Sequence, residues 1–286
     1  MDSISMNLAN FPVCGASIGS YGTCIELPSL SLAFDIGRCP ESVVNLKTVL
    51  ITHGHIDHVG GVAHHCARRQ LKGLTPPTYV MERGLVERFQ AFMEAARALD
   101  GSRMLCNIVE IDPEDAVGIK LPTLPDRYTL RAFRSHHSRP TIGYILLEER
   151  KRLRVEFQGR DGRKLLELKK EGVEIMEEFD HPVLAFTGDT RPSVLESVPD
   201  LLRTDLLIME ITFIDQEITP RDAWETGHTH LEHIRAMVGL FTNKAVLFTH
   251  RSARYTPAEY REAIESLPEP LAGKCKALLG RFHPGP

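Results

Sequence analysis

Short apolar runs rich in β-branched residues recur along this chain, each closed by glycine, proline or polar residues. Between them lie stretches with apolar residues at helical spacing. Residues 23–28 and 30–35 read as a strand pair with Pro28-Ser29 between them. Val49-Leu50-Ile51-Thr52 reads as a buried strand, and 62–71 as a helix with His64 and His65 on its surface. Pro76-Pro77 closes that element before a short strand at 78–81. Over 84–99, Leu85, Phe89, Phe92, Met93 and Ala96 recur on one helical face. Further strands are expected at 128–133, 145–147, 183–187, 206–209 and 245–249, and a helix at 231–241. A last helix begins at Thr256, with Pro257 in its first turn and Glu259 completing a capping box, and runs to about residue 267.

Alternation of strand and helix over 286 residues, with 42% apolar and 25% charged content, implies an α/β chain with a sizeable core. It reads as a single domain over 1–286 with a basic excursion at about 148–182. No apolar run approaches the roughly 20 residues of a membrane helix. The start carries Asp2 and no basic segment before an apolar stretch, so no secretory signal is expected. Cys14, Cys24, Cys39, Cys66, Cys106 and Cys275 form no C-x-x-C pair. They read as reduced packing residues of an intracellular, cytoplasmic protein rather than ligands of a structural zinc.

A net charge of −4 argues, by itself, mildly against a nucleic-acid partner. Its distribution changes that picture. Arg150, Lys151, Arg152, Arg154, Arg160, Arg163, Lys164, Lys169 and Lys170 crowd one segment, opposed within it by Glu156, Asp161 and Glu167. Such a run is either a solvated surface or a phosphate-binding patch.

The candidate chemistry centres on His53-Gly54-His55-Ile56-Asp57-His58, directly after the 49–52 strand. Imidazole nitrogen and carboxylate oxygen both bind zinc at about 2.0–2.2 Å. One ion could collect His53 and His55, a second Asp57 and His58. Asp35, at the end of an earlier strand, either orients a ligand histidine through its other ring nitrogen or caps a turn. Later strands also end in ligand or acid–base groups: the His136-His137 pair, of which chemistry alone does not choose one, then Asp189, Glu210 and His250. His228 precedes the 231–241 helix. Histidine and carboxylate without cysteine suit hydrolytic zinc or manganese, and two such ions can clamp a displacement at phosphorus.

Taken together, His53-x-His55-x-Asp57-His58, His137, Asp189 and His250 resemble the metallo-β-lactamase superfamily. The runs around Pro140 and Gly143-Tyr144, Thr187-Gly188-Asp189-Thr190, Glu210-x-Thr212, Gly227-His228 and His250-x-Ser252-x-Arg254-Tyr255 resemble ribonuclease Z, from about residue 11 to 283. The resemblance implies a four-layer αβ/βα sandwich that removes the 3′ trailer from precursor tRNA, and a homodimer. It implies two zinc ions per chain, with manganese as the other candidate. His53, His55, His137 and Asp189 would hold one ion, and Asp57, His58, Asp189 and His250 the other. Asp57 would be the general base, and His228, supported by Glu210, the general acid. Arg254 would contact a phosphate or else sit in an ion pair, and Arg150, Lys151 and Arg152 would lie in the tRNA-binding patch. Relatives carry a Gly- and Pro-rich arm after the Gly-Tyr strand and a basic loop near the N-terminus. Residues 148–182 are instead short and basic, and 16–23 hold no Lys or Arg. The alternatives on the same scaffold are a hydrolase of a thioester, lactam or small phosphodiester, and a non-catalytic tRNA-binding relative. Asp57 and His228 argue against the latter.

Overall fold

A computed structural model describes residues 5–280 and 282. Asp2, and residue 283 where the resemblance ends, lie outside the described residues. The first half builds one sheet. Strands β1 (Met6–Leu8), β2 (Phe11–Gly19), β3 (Gly22–Leu27) and β4 (Leu32–Phe34) run antiparallel in sequence order. They continue into parallel β5 (Thr48–Leu50), β6 (Thr78–Glu82) and β7 (Asn107–Ile111). Parallel neighbours need crossovers. These are α1 (Ile56–Val59) and α2 (Val62–Leu71) before β6, and α3 (Arg83–Asp100) after it.

The second half builds another sheet. β8 (Tyr128–Ser135), β9 (Thr141–Leu153) and β10 (Met176–Phe186) are antiparallel, and α4 (Gly162–Lys170) sits between β9 and β10. After α5 (Val194–Ser197) comes β11 (Leu206–Glu210), parallel to β10. Helices α6 (Pro220–Thr226) and α7 (Leu231–Met237) lead to β12 (Ala245–Thr249). Short β13 (Arg251–Ser252) crosses back to pair with β2, and α8 (Pro257–Glu265) precedes β14 (Cys275–Ala277) at the edge. The order is β14-β12-β11-β10-β9-β8.

The period of two along each strand explains the layers. Leu50 and Val80 face the second sheet, meeting a core of Leu130, Tyr144, Leu184, Phe186, Ile208 and Leu247. Their neighbours Val49, Ile51, Tyr79 and Met81 face outward under α2 and α3. Likewise Leu207, Met209, Val246 and Phe248 face α5, α7 and α8. Strands buried on both faces read as unbroken apolar runs, as these do. The result is the expected four-layer αβ/βα sandwich. Tyr144 ties its two sheets, donating from its hydroxyl to the carbonyls of Ile51 at 2.6 Å and Val80 at 3.1 Å.

Two expectations need correction, and one count needs completing. His65 is buried, not on the helix surface, and bonds through Nδ1 to the Tyr79 hydroxyl at 2.9 Å. Val62, His65, Cys66 and Arg69 are the inward face of α2, so the ring replaces an apolar side chain there. The helix expected over 231–241 is α-helical only to Met237 and tightens to a 3-10 turn through Leu240. To the acids within 150–170 the structure adds those of the antiparallel neighbour. β9 and β10 pair Lys151 with Glu178 at 3.0 Å and Arg152 with Glu177 at 2.7 Å. Arg150 reaches Glu148 at 2.7 Å and Asp205 at 3.4 Å. Among the described residues, Arg154, Arg160, Arg163, Lys164, Lys169 and Lys170 have no carboxylate partner within 4.0 Å, so the uncompensated charge lies further out along the hairpin and α4.

Candidate metal centre

The carboxyl ends of parallel strands in an α/β sheet face a crevice, the usual place for ligands. Here two such crevices coincide, because the loops after β5, β8, β10, β11 and β12 open on the same edge of the sandwich. Two contacts set the sheets in register there. The amide of Ile142 donates to the carbonyl of Thr52 at 3.0 Å. Gly188 takes a φ of +60°, and a Cβ on it would come within 2.9 Å of the Thr52 side chain. A side chain at 188 would therefore wedge apart the loops that carry His53 and Asp189.

The first sheet delivers four candidates from one loop and one short helix. His53 and His55 leave β5 before α1 starts, and Asp57 and His58 lie within α1. Asp35 turns out to orient a histidine. Fully buried, with a left-handed φ of 54°, it bonds His58 Nδ1 at 2.7 Å and accepts from the Thr52 amide at 2.8 Å. Asp57 Oδ2 accepts from the amide of Ser20 at 2.8 Å.

The second sheet delivers its candidates singly. His137 is held by Nδ1 against the carbonyl of Gly227, at 2.9 Å. Gly227 has a φ of +89°, and a Cβ there would lie 2.8 Å from that nitrogen. His136 turns away to Ser193, 2.6 Å from its hydroxyl, whereas His137 faces the other histidines. His250 follows β12 with a φ of 59°, a strained value for a residue with a side chain. Its amide donates to Ser17 Oγ at 2.9 Å, and its Nδ1 meets Thr212 Oγ1 at 2.8 Å.

These side chains converge. The ligand atoms of His53, His55, His137 and Asp189 lie within 4.8 Å of one another, as do those of Asp57, His58 and His250. Asp189 joins the groups: its Oδ2 is 3.8 Å from His53 Nε2 and 3.5 Å from His58 Nε2, and its Oδ1 is 3.4 Å from His250 Nε2. Ligands about 2.05 Å from a tetrahedral ion stand about 3.3 Å apart. The spacings of His58 and His250 to Asp189 are close to that, that of His53 would close by about half an ångström, and His53 Nε2 and His55 Nδ1, at 2.9 Å, would open slightly.

Two further observations fit a metal. Among the described residues His58 Nε2 and His250 Nε2 are buried with no hydrogen-bond partner, a costly state that a cation would relieve. Burial lowers the pKa of His53, His55 and His137, favouring the neutral imidazole that binds metal. Burial opposes ionisation of Asp189 and Asp57, but the surrounding histidines, His250 foremost, hold both carboxyls well below the usual range.

His228 stands beside this cluster, 4.9 Å from the His137 ring and 5.3 Å from that of His250. Its Nδ1 bonds Glu210 Oε1 at 2.8 Å, and Glu210 also accepts from the Thr190 amide at 2.8 Å. Burial disfavours charge on His228, yet the Glu210 carboxylate outweighs it and pushes the imidazole up to about 9. With Asp189 and His250 it forms a third group close enough to share an ion. Arg254 is exposed and 3.7 Å from Glu217, while Arg150, Lys151 and Arg152 sit in the hairpin pairs described above. About nine residues of β9 separate Arg150 from the site end of that strand, roughly 30 Å at strand rise. Sequence reading passed over Ser20 and the tie between Gly227 and His137. Thr212 was noted only as part of a motif. Its signal was there: two residues past Glu210, it shares that side chain's face.

The sandwich and its clustered histidines and carboxylates define a metallohydrolase of the metallo-β-lactamase class. The family model for the β-lactamase superfamily domain matches residues 29–159. Among solved structures, the metallo-β-lactamase fold protein YhfI from Bacillus subtilis superposes with a TM-score of 0.61 at 14% identity, over 93% of this chain and 94% of that one. The human short form of tRNase Z superposes at 0.55 and 19% identity, over 84% and 92%. At those identities the likeness is one of fold. Sequence goes further. tRNase Z TRZ1 of Arabidopsis thaliana is 36% identical over 97% of this chain and 98% of its own length. The chloroplastic tRNase Z TRZ2 of the same plant is 33% identical over 97% and 78%. The chain belongs to the tRNase Z family. Among the described residues no helix is long and apolar enough to cross a membrane.

Proposed function

We propose that this chain is a zinc-dependent endoribonuclease that removes the 3′ trailer of precursor tRNA, leaving a tRNA 3′-hydroxyl and a 5′-phosphate on the trailer. What carries the reading is the meeting of seven histidine and carboxylate ligands at one edge, in a chain similar to tRNase Z along nearly its whole length. The chain works as one catalytic domain with the hairpin as its excursion. His53, His55, His137 and Asp189 would hold one zinc ion, and Asp57, His58, Asp189 and His250 the other, with manganese the competing metal. When bound, the ions make water nucleophilic at neutral pH and offset charge on the phosphate oxygens.

The protein's own groups handle the protons. Asp57, kept ionised by its histidine neighbours, takes the proton of the attacking water. The water oxygen bonds to phosphorus as the bond from phosphorus to the 3′-oxygen breaks. His228, gripped at Nδ1 by Glu210, presents Nε2 and protonates the departing 3′-oxygen. Arg254 contacts a neighbouring phosphate; its exposed pair with Glu217 is weak enough to give way. The chain pairs with a second copy as a homodimer, and the unpaired cations of the hairpin and α4 meet the tRNA away from the cut. Incubation of the purified protein with a 3′-extended precursor, with zinc or manganese supplied, tests the proposal. Cleavage at the mature 3′ end with those termini is expected; no cleavage with either metal ends it.

A further inference from the structure

A cleft of about 460 Å³ opens beside the metal ligands, bounded by Ser20, Tyr21, Arg38, His55, Ile56 and Asp57. Its geometry is fixed by Gly37, whose hydrogen faces the Asp57 backbone; a Cβ there would sit 1.8 Å from the Asp57 carbonyl oxygen. The residue after this contact, Arg38, therefore leaves the chain next to Asp57. Its guanidinium carbon lies 3.7 Å from the centroid of the Tyr21 ring, and its Nε donates to the Tyr21 carbonyl at 2.9 Å. Among the described residues no carboxylate lies within 4.0 Å of it. Several other arginines of the fold have partners that explain them. Arg69 is spent on the carbonyls of Val44, Leu46 and Thr75, and Arg134 and Arg152 on glutamates. Arg38 is held in one orientation, without a counter-ion, on the wall of a cleft that ends at a phosphodiester-cutting centre. Tyr21 is 39% and Ile56 67% exposed, so the same walls offer apolar surface to a base.

We propose that Arg38, presented flat by Tyr21, is a substrate-positioning residue that grips a phosphate of the RNA segment leaving the metal centre past Asp57. This rests on the tRNA-processing reading and adds where one arm of the substrate runs. A planar guanidinium suits a phosphate by its forked donors, and an aromatic face restricts it to that use. Single-stranded RNA is held in this way, by cations along the backbone and flat groups beside the bases.

The test compares wild type, Arg38→Ala, Arg38→Lys and Tyr21→Leu on two substrates, a 3′-extended precursor tRNA and bis(p-nitrophenyl) phosphate, which has no chain to grip. Arg38→Ala is expected to lower the ratio of kcat/KM for the precursor to that for the small diester about tenfold, mostly through KM. It should also flatten the fall of log kcat/KM with log salt by about 0.7, the share of one phosphate contact to a single strand. Arg38→Lys should restore most of the salt slope, and Tyr21→Leu should lower the ratio about threefold. A ratio retained in Arg38→Ala, or a fall of both activities in parallel, overturns the inference, since packing of the Arg38 stem against Gly22 would then suffice. Wild-type protein that cuts the small diester but not the precursor overturns the tRNA reading and this inference with it.

Discussion

Asp35 on the first sheet and Glu210 on the second are both buried carboxylates, and each grips a histidine through Nδ1, His58 at 2.7 Å and His228 at 2.8 Å. What differs is the other side of each ring. The His58 side chain is 1% exposed, and among the described residues its Nε2 has no hydrogen-bond partner, with the Asp189 and Asp57 carboxylates 3.5 and 3.8 Å away. The His228 side chain is 16% exposed at the rim. One clamp thus fixes a ring that faces inward, toward the other candidate ligands; the other fixes a ring at the rim, where the proposed acid would meet a substrate. A carboxylate–histidine pair by itself does not reveal its purpose, and where the free nitrogen points does.

The comparison is sharpest at His228, the proposed proton donor. His228→Ala should lower kcat on precursor tRNA by about 10²–10⁴, the usual worth of a positioned acid, while elemental analysis still finds the metal content of wild type. Glu210→Gln should act in the same direction and leave a pH signature. The carboxylate raises His228 to about 9, so the acid form persists below that value and is lost above it. With the charge removed, the pKa falls toward its ordinary value near 6.5, and the alkaline loss of rate begins at lower pH. Glu210→Gln protein that sheds metal and keeps its pH profile would make the two clamps equivalent and break the contrast.

Asp35→Asn is the matching change in the first sheet. It should weaken metal binding by about 10–100-fold, as loss of a carboxylate behind a ligand histidine does. Competition with a chelator measures this, and saturating metal should restore most of the rate. Failure of rescue, with metal held as in wild type, would show that Asp35 serves the chemistry instead.

The two halves were also unequally legible. Four first-sheet candidates lie within six residues, because one strand end and one short helix carry them all, so local spacing suffices. Those of the second sheet come one per strand. Only the closing of β10, β11 and β12 side by side brings Asp189, Glu210 and His250 together, and the resemblance to a family supplied what periodicity could not. The contact that holds His137 comes from Gly227, ninety residues on. The ion pairs of the hairpin cations were illegible for a related reason: a count along the segment cannot see Glu177 and Glu178 across the ladder. Arg38 and Tyr21 went unremarked because neither belongs to a ligand pattern, and their pairing spans two loops.

His65 extends the contrast to two buried imidazoles of the first half, His58 and His65. Burial opposes charge on both. For His58 the Asp189 and Asp35 carboxylates outweigh it, and the pKa rises well above its ordinary value. His65 faces a tyrosine hydroxyl, and burial together with the Arg69 guanidinium lowers it to about 3. The spacing of Val62, His65, Cys66 and Arg69 at i, i+3, i+4 and i+7 was the signal that this ring points inward. The consequence is a stability that falls with acid. Between about 6.5 and about 3 the unfolded chain binds a proton at His65 that the folded chain refuses, so each pH unit in that window costs up to about 1.4 kcal/mol. Above 6.5 the ring is neutral in both states and contributes no slope. Unfolding free energies by urea titration at pH 7, 6 and 5 should show this loss, and His65→Gln should reduce the slope below pH 6.5 by close to one proton, even if its stability at pH 7 is lower. A slope unchanged by that substitution would mean that other groups, the carboxylates of the metal edge foremost, set the acid limit of this fold.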